Sequence, residues 1–85
     1  MTLTTYGTKI DLRDIPSRDR HPLVFNTYRL LLAGQTMELV VDHEPEHLYQ
    51  EFQEGRLGAF GWDYIERGPK LWRVRIMRIG SAQLA

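Results

Sequence analysis

The sequence predicts an α+β fold, a two-layer α/β sandwich in the order β-α-β-α-β-β, with two helices on one face of a mixed four-stranded sheet. Three observations carry that expectation: short segments where apolar and polar residues alternate, longer segments where apolar residues recur at helical spacing, and Gly- and Pro-bearing breaks between them. Two crossover helices that each bury one side pack most simply on the same face of the sheet, with right-handed connections.

Ile10 and Leu12 alternate with Lys9, Asp11 and Arg13, a first strand that runs into the polar loop 14–20. Pro22 suits a first helical position, because it gives up an amide hydrogen that would have no partner there, with His21 or Asp19 near the cap. Val24, Phe25, Tyr28, Leu31 and Leu32 make the apolar stripe of that helix, and Gly34 is placed to end it in a left-handed conformation. Met37, Leu39 and Val41 alternate with Glu38, Val40 and Asp42 in a second strand. A second helix begins near Pro45, with Leu48, Tyr49 and Phe52 as a narrow apolar face, Glu44 and Glu46 at its positive end, and Gly55 or Gly58 as its stop.

Phe60, Trp62 and Tyr64, then Trp72, Val74 and Ile76, read as a hairpin about Arg67-Gly68-Pro69. A three-residue connection pairs Tyr64 with Trp72, Trp62 with Val74 and Phe60 with Ile76, and sets Asp63 opposite Arg73. The face turned from the helices then carries Lys9, Asp11, Glu38, Asp63, Arg73 and Arg75, interleaved in sign and read as solvated.

Eighty-five residues suffice for one small domain, here 1–85, with an ordered core over about 7–79 and fraying at both ends. Eleven basic and eleven acidic side chains cancel, which argues against a hold on nucleic acid or anionic membrane by bulk charge. The absence of cysteine removes disulfides, thiolate metal sites and thiol-carried chemistry. The start Met-Thr-Leu-Thr-Thr-Tyr-Gly lacks the features of a signal peptide, and no stretch approaches the ~20 apolar residues of a membrane span. A cytoplasmic location without membrane association is expected.

The segments Asp11-Leu12-Arg13, 20–25 (Arg-His-Pro-Leu-Val-Phe), 42–45 (Asp-His-Glu-Pro), Phe60-Gly61-Trp62, and Gly68-Pro69 with Trp72-Arg73-Val74 together resemble the DUF2249 family over nearly the whole chain. That family is similar to the TusA/SirA-like sulfur-transfer domains, and the resemblance implies the same order of strands and helices. In the sulfur carriers a Cys-Pro pair opens the first helix, whose N-terminus favours the thiolate. The matching pair here is His21-Pro22, and an imidazole cannot carry a persulfide. Members of the resembled family occur joined to or beside hemerythrin-like and nitrogen-oxide-related proteins, which implies a redox or metal-handling context.

In this topology the loops after the first two strands leave the carboxyl ends of neighbouring parallel strands, so His21 and His43 are expected at one rim. His47 follows four residues after His43. Neutral imidazoles bind transition metals, so His21, His43 and His47 are candidate metal ligands and a transition-metal ion the candidate cofactor. Arg13, Arg18 and Arg20 crowd the loop before the first helix and, with its positive end, form a candidate site for an anionic ligand. The plainer alternatives are that His21 and His43 cap helices while His47 is solvated, and that the arginines pair with Asp11, Asp14 and Asp19.

No catalytic residue is assigned, because Ser17 has no nucleophile elbow around it and Glu51 and Glu54 read as a solvated helix face. The leading expectation is a small non-catalytic accessory or interaction domain with a protein partner and a metal or small-ligand site at the rim. One alternative is an enzyme or relay component that uses His21 for proton or metal chemistry. Another is an RNA-binding module reading through Arg73, Arg75 and Arg78, although Phe60, Trp62 and Trp72 are needed for the core.

Overall fold

The computed structural model describes residues 8–55 and 59–79. Its elements are β1 (Thr8–Asp11), α1 (Ser17–Arg29), β2 (Thr36–Val41), α2 (Glu46–Glu54), β3 (Phe60–Arg67) and β4 (Trp72–Arg78). The expected fraying of both ends and Gly58 as a helix stop lie outside the described residues. The sheet runs β1-β2-β4-β3, with β1 parallel to β2 and the other neighbours antiparallel. This is the expected α+β arrangement of two helices with a mixed four-stranded sheet.

One cluster fills the space between the layers. Met37, Leu39 and Val41 of β2 and Val74 and Ile76 of β4 meet Val24, Phe25 and Tyr28 of α1 and Phe52 of α2. Alternate residues of a strand share a face, so both helices cover the same side of the sheet. Burying each such side chain contributes about 1.5–3 kcal/mol. Trp62 packs against the edge of the cluster, and its Nε1 is the one buried side-chain nitrogen or oxygen without a hydrogen-bond partner among the described residues. Leaving a buried donor unpaired costs about 1–3 kcal/mol.

The opposite face is organised by charge. One cross-strand row runs Lys9, Glu38, Arg75, Asp63, and the next runs Asp11, Val40, Arg73, Glu66. The Arg73 Nε donates to Glu38 Oε2 at 2.9 Å, while Lys9 Nζ lies 3.9 Å from the same oxygen. Arg73 also reaches Glu66 at 3.7 Å. Such pairs contribute about 0–1 kcal/mol each, and their larger effect is to hold the register, since a one-residue slip would carry them into the core.

Three local expectations are corrected. First, α1 begins at Ser17, so Pro22 lies inside the helix and His21 lies more than a turn beyond its start. Asp19 N donates to Pro16 O, and the bond that Pro22 cannot make belongs to the carbonyl of Arg18. Arg18 and Pro22 are both exposed, which places that carbonyl on the solvent side, where its loss costs least. Second, α1 ends at Arg29 rather than at Gly34, and Leu32 is 69% exposed instead of extending the stripe. The Arg78 guanidinium donates to the carbonyls of Arg29 and Leu31 and satisfies the helix end, while Gly34 takes its positive φ of 88° in the following turn.

Third, the hairpin pairs differently. Trp62 lies opposite Ile76, Tyr64 opposite Val74, Asp63 opposite Arg75 and Arg67 opposite Trp72, with an irregularity between Tyr64 and Glu66. The connection is the four residues 68–71, closed by Gly68 N donating to Leu71 O. Ile65 is the extra residue of a β-bulge, and it restores the facing of Trp62 and Tyr64 that the longer turn would otherwise reverse.

A groove between the starts of the two helices

β1 and β2 are parallel neighbours, and the segments that follow them lead into α1 and α2. The helix starts are therefore side by side. Between them lies a groove of about 330 Å³ lined by Ser17, Arg20, His21, His43, Glu44, His47 and Glu51 over aliphatic Leu12, Val24, Val41 and Leu48. A concavity of that size with an apolar floor and a few convergent polar groups is the usual form of a small-ligand site.

The structure thus brings all three histidines to one place. His21, on α1, stacks on Phe25 with ring centroids 4.4 Å apart, and its Nδ1 lies 2.9 Å from Glu51 Oε1 on α2. His43, after β2, has its Nδ1 2.8 Å from the carboxylate of Asp42. In both rings the carboxylate fixes the imidazole and leaves Nε2 as the second functional nitrogen. The His43 hydrogen bond, with a smaller contribution from the positive charge of Arg20, holds Asp42 below the usual carboxylate range. Arg20 is itself anchored, its Nε donating to Ile15 O at 2.8 Å.

The arginines separate. Arg20 lines the groove, while Arg13 and Arg18 do not. Arg13 instead forms a two-pronged contact with Asp11, Nε at 2.9 Å and Nη2 at 2.6 Å, and its backbone N–H donates to the same carboxylate. These bonds lower the Asp11 pKa from 3.8 to about 2. A depressed carboxyl stabilises the fold at neutral pH and loses that contribution as pH falls from the ordinary carboxylate range towards 2. Carbon-detected NMR titration should find Asp11 still ionised at pH 3, and Arg13→Ala should return it to the range near 4 of a free aspartate. An unchanged Asp11 titration in Arg13→Ala would show that the pair does not persist in solution.

Glu51 is the residue that sequence reasoning assigned to the solvent. Its spacing from His47, four positions along α2, already put the two on one helix face. Only the packing of α2 beside α1 brings that face to His21. Among the described residues no group of three or more His, Asp or Glu side chains is arranged to hold a metal ion, and no helix is long and apolar enough to cross a membrane. On β4, Arg73 is engaged by Glu38 and Glu66, and Arg78 by the end of α1.

The chain matches the model of a family described as "Uncharacterized conserved protein (DUF2249)" over residues 9–78. Comparisons with curated proteins and with solved structures find no match.

Proposed function

The chain belongs to the DUF2249 family, and on that premise we propose that it is a small, cytoplasmic, non-catalytic accessory domain that holds a small anionic ligand in the groove between its helix starts. The observation that carries this reading is the convergence of Arg20, His21, His43 and His47 from three separate segments onto one aliphatic floor. The amide groups at the starts of α1 and α2 add two positive helix ends. The groove suits a carboxylate, sulfate or phosphate carried on a short apolar body, and a protein partner would receive or deliver it. The resemblance to TusA-like carriers sets His21 against their reactive cysteine, although α1 here starts a turn earlier, and an imidazole at that position favours reversible binding over sulfur carriage.

A second reading is favoured by one observation, the tethering of both His21 and His43 through Nδ1 to carboxylates, which is how metal-ligating imidazoles are commonly held. Two such nitrogens, with the other positions filled from outside the chain, would hold a transition-metal ion in the redox or metal-handling setting that the resemblance implies.

Calorimetric titration of the metal-free protein separates the two. With inorganic phosphate and butyrate as probes, the anion reading expects saturable 1:1 binding weakened about tenfold or more by Arg20→Ala, the loss of one charge-assisted contact. The metal reading expects about one zinc or copper ion per chain, lost in both His21→Ala and His43→Ala and untouched by Arg20→Ala. Absence of saturable binding by every probe would remove both.

A further inference from the structure

On the other side of α2 from the first groove, and sharing Glu44 with it, a second concavity of about 510 Å³ lies between α2 and β3. Tyr49, Trp62 and Tyr64 line it with Glu44, Glu46 and Arg67. The rings stand in steeply different planes: Tyr49 and Trp62 meet at 64° with centroids 5.0 Å apart, and Trp62 and Tyr64 at 82° and 6.4 Å. Three electron-rich rings at such angles, with two carboxylates and one guanidinium among them, make a box whose attraction is for weakly hydrated cations.

Two further observations point the same way. The guanidinium carbon of Arg67 sits 4.3 Å from the centroid of the Tyr64 ring, so one wall already takes a cation from the chain itself. Trp62 keeps an indole N–H buried without a partner, a penalty that a phenylalanine at this position would avoid. The indole is also the best of the aromatic faces for a cation.

We propose that this groove binds a small, free quaternary ammonium ion of the choline type, in competition with Arg67. The cation lies among the three rings, and Glu44 and Glu46 at the start of α2 offset the positive end of that helix and supply the opposing charge. Binding displaces the Arg67 guanidinium from Tyr64.

The test is an NMR titration at constant ionic strength that follows the indole N–H signal of Trp62, with choline and its uncharged isostere 3,3-dimethylbutan-1-ol as probes. Choline should shift the signal saturably and bind about tenfold more tightly than the alcohol, the ratio expected when the cation rather than the methyl groups is recognised. Tyr49→Ala, at a position 36% exposed and outside the buried cluster, should weaken choline about tenfold, and Trp62→Phe, followed through the ring signals of Tyr49 and Tyr64, should weaken it about threefold. Arg67→Ala should strengthen it by removing the competitor. Equal binding of the alcohol, no saturable shift in a folded protein, or loss of choline binding in Arg67→Ala would each overturn the proposal. So would a response to phosphatidylcholine vesicles without one to free choline.

Discussion

Phe52→Ala should cost about 3–5 kcal/mol, the range for deleting a buried aromatic ring. A chain of this length has about 4–13 kcal/mol of total stability, so the loss is a large share of the whole. Phe52 is 1% exposed and is the one buried residue of α2. Its ring lies 4.5 Å from Phe25 and 5.0 Å from Tyr28 on α1, and 5.4 and 5.9 Å from Phe60 and Trp62 on β3. A nine-residue helix has no stability of its own in water and is held by what it buries. Removing the ring therefore detaches α2 first, and with it Glu51, Tyr49 and the shared wall of both grooves. Urea denaturation followed by circular dichroism checks the magnitude, and Phe52→Leu, which retains most of the volume, should cost about 1.5 kcal/mol or less. A Phe52→Ala protein within 1 kcal/mol of the parent would mean that α2 is held from elsewhere.

What was legible in the sequence follows from what alternation and spacing encode. Met37, Leu39, Val41, Val74 and Ile76 declare their face through a period of two, and all five are buried as expected. The proximity of His21 and His43 followed from topology, because parallel neighbours must send their following segments out at the same end. The hairpin register was less accessible. A shift of two residues leaves every side chain on its own face, so the pattern of Phe60, Trp62 and Tyr64 is blind to it, and the bulge at Ile65 leaves no mark in composition. Pro22 misled for a related reason: proline's local preference for a helix start gives way when the whole segment gains by packing Val24, Phe25 and Tyr28 from an earlier start. The Glu51 contact depends on two helices meeting, which no local window contains.

The turn that fixes this register yields the second large expectation, Gly68→Ala. Gly68 has a positive φ of 50°, and a methyl group built on it would stand 2.6 to 2.7 Å from the ring of Trp72. The left-handed backbone alone costs an alanine about 1 kcal/mol. Crowding into a packed ring adds about 1–3 kcal/mol, for a total of about 2–4. Two other glycines separate these contributions. Gly34 shares the positive φ but would meet nothing within 4 Å, so Gly34→Ala should show the backbone cost alone. Gly61, with no such φ, would meet Met77 Cβ only at 3.5 Å, an ordinary contact, so Gly61→Ala should stay within about 0.5 kcal/mol of the parent. Denaturation should rank the three in that order, and Gly68→Ala no worse than Gly34→Ala would mean that the indole yields freely. It is poorly placed to yield: Trp72 Nε1 donates to Pro69 O at 3.3 Å, and its ring packs on Tyr64 at 6.0 Å. Displacing Trp72 pushes Tyr64, the ring on which Arg67 rests. A turn glycine next to Arg67, without itself lining the aromatic groove, thus sets one of its walls, and Gly68→Ala should disturb the Trp62 indole signal even in molecules that remain folded.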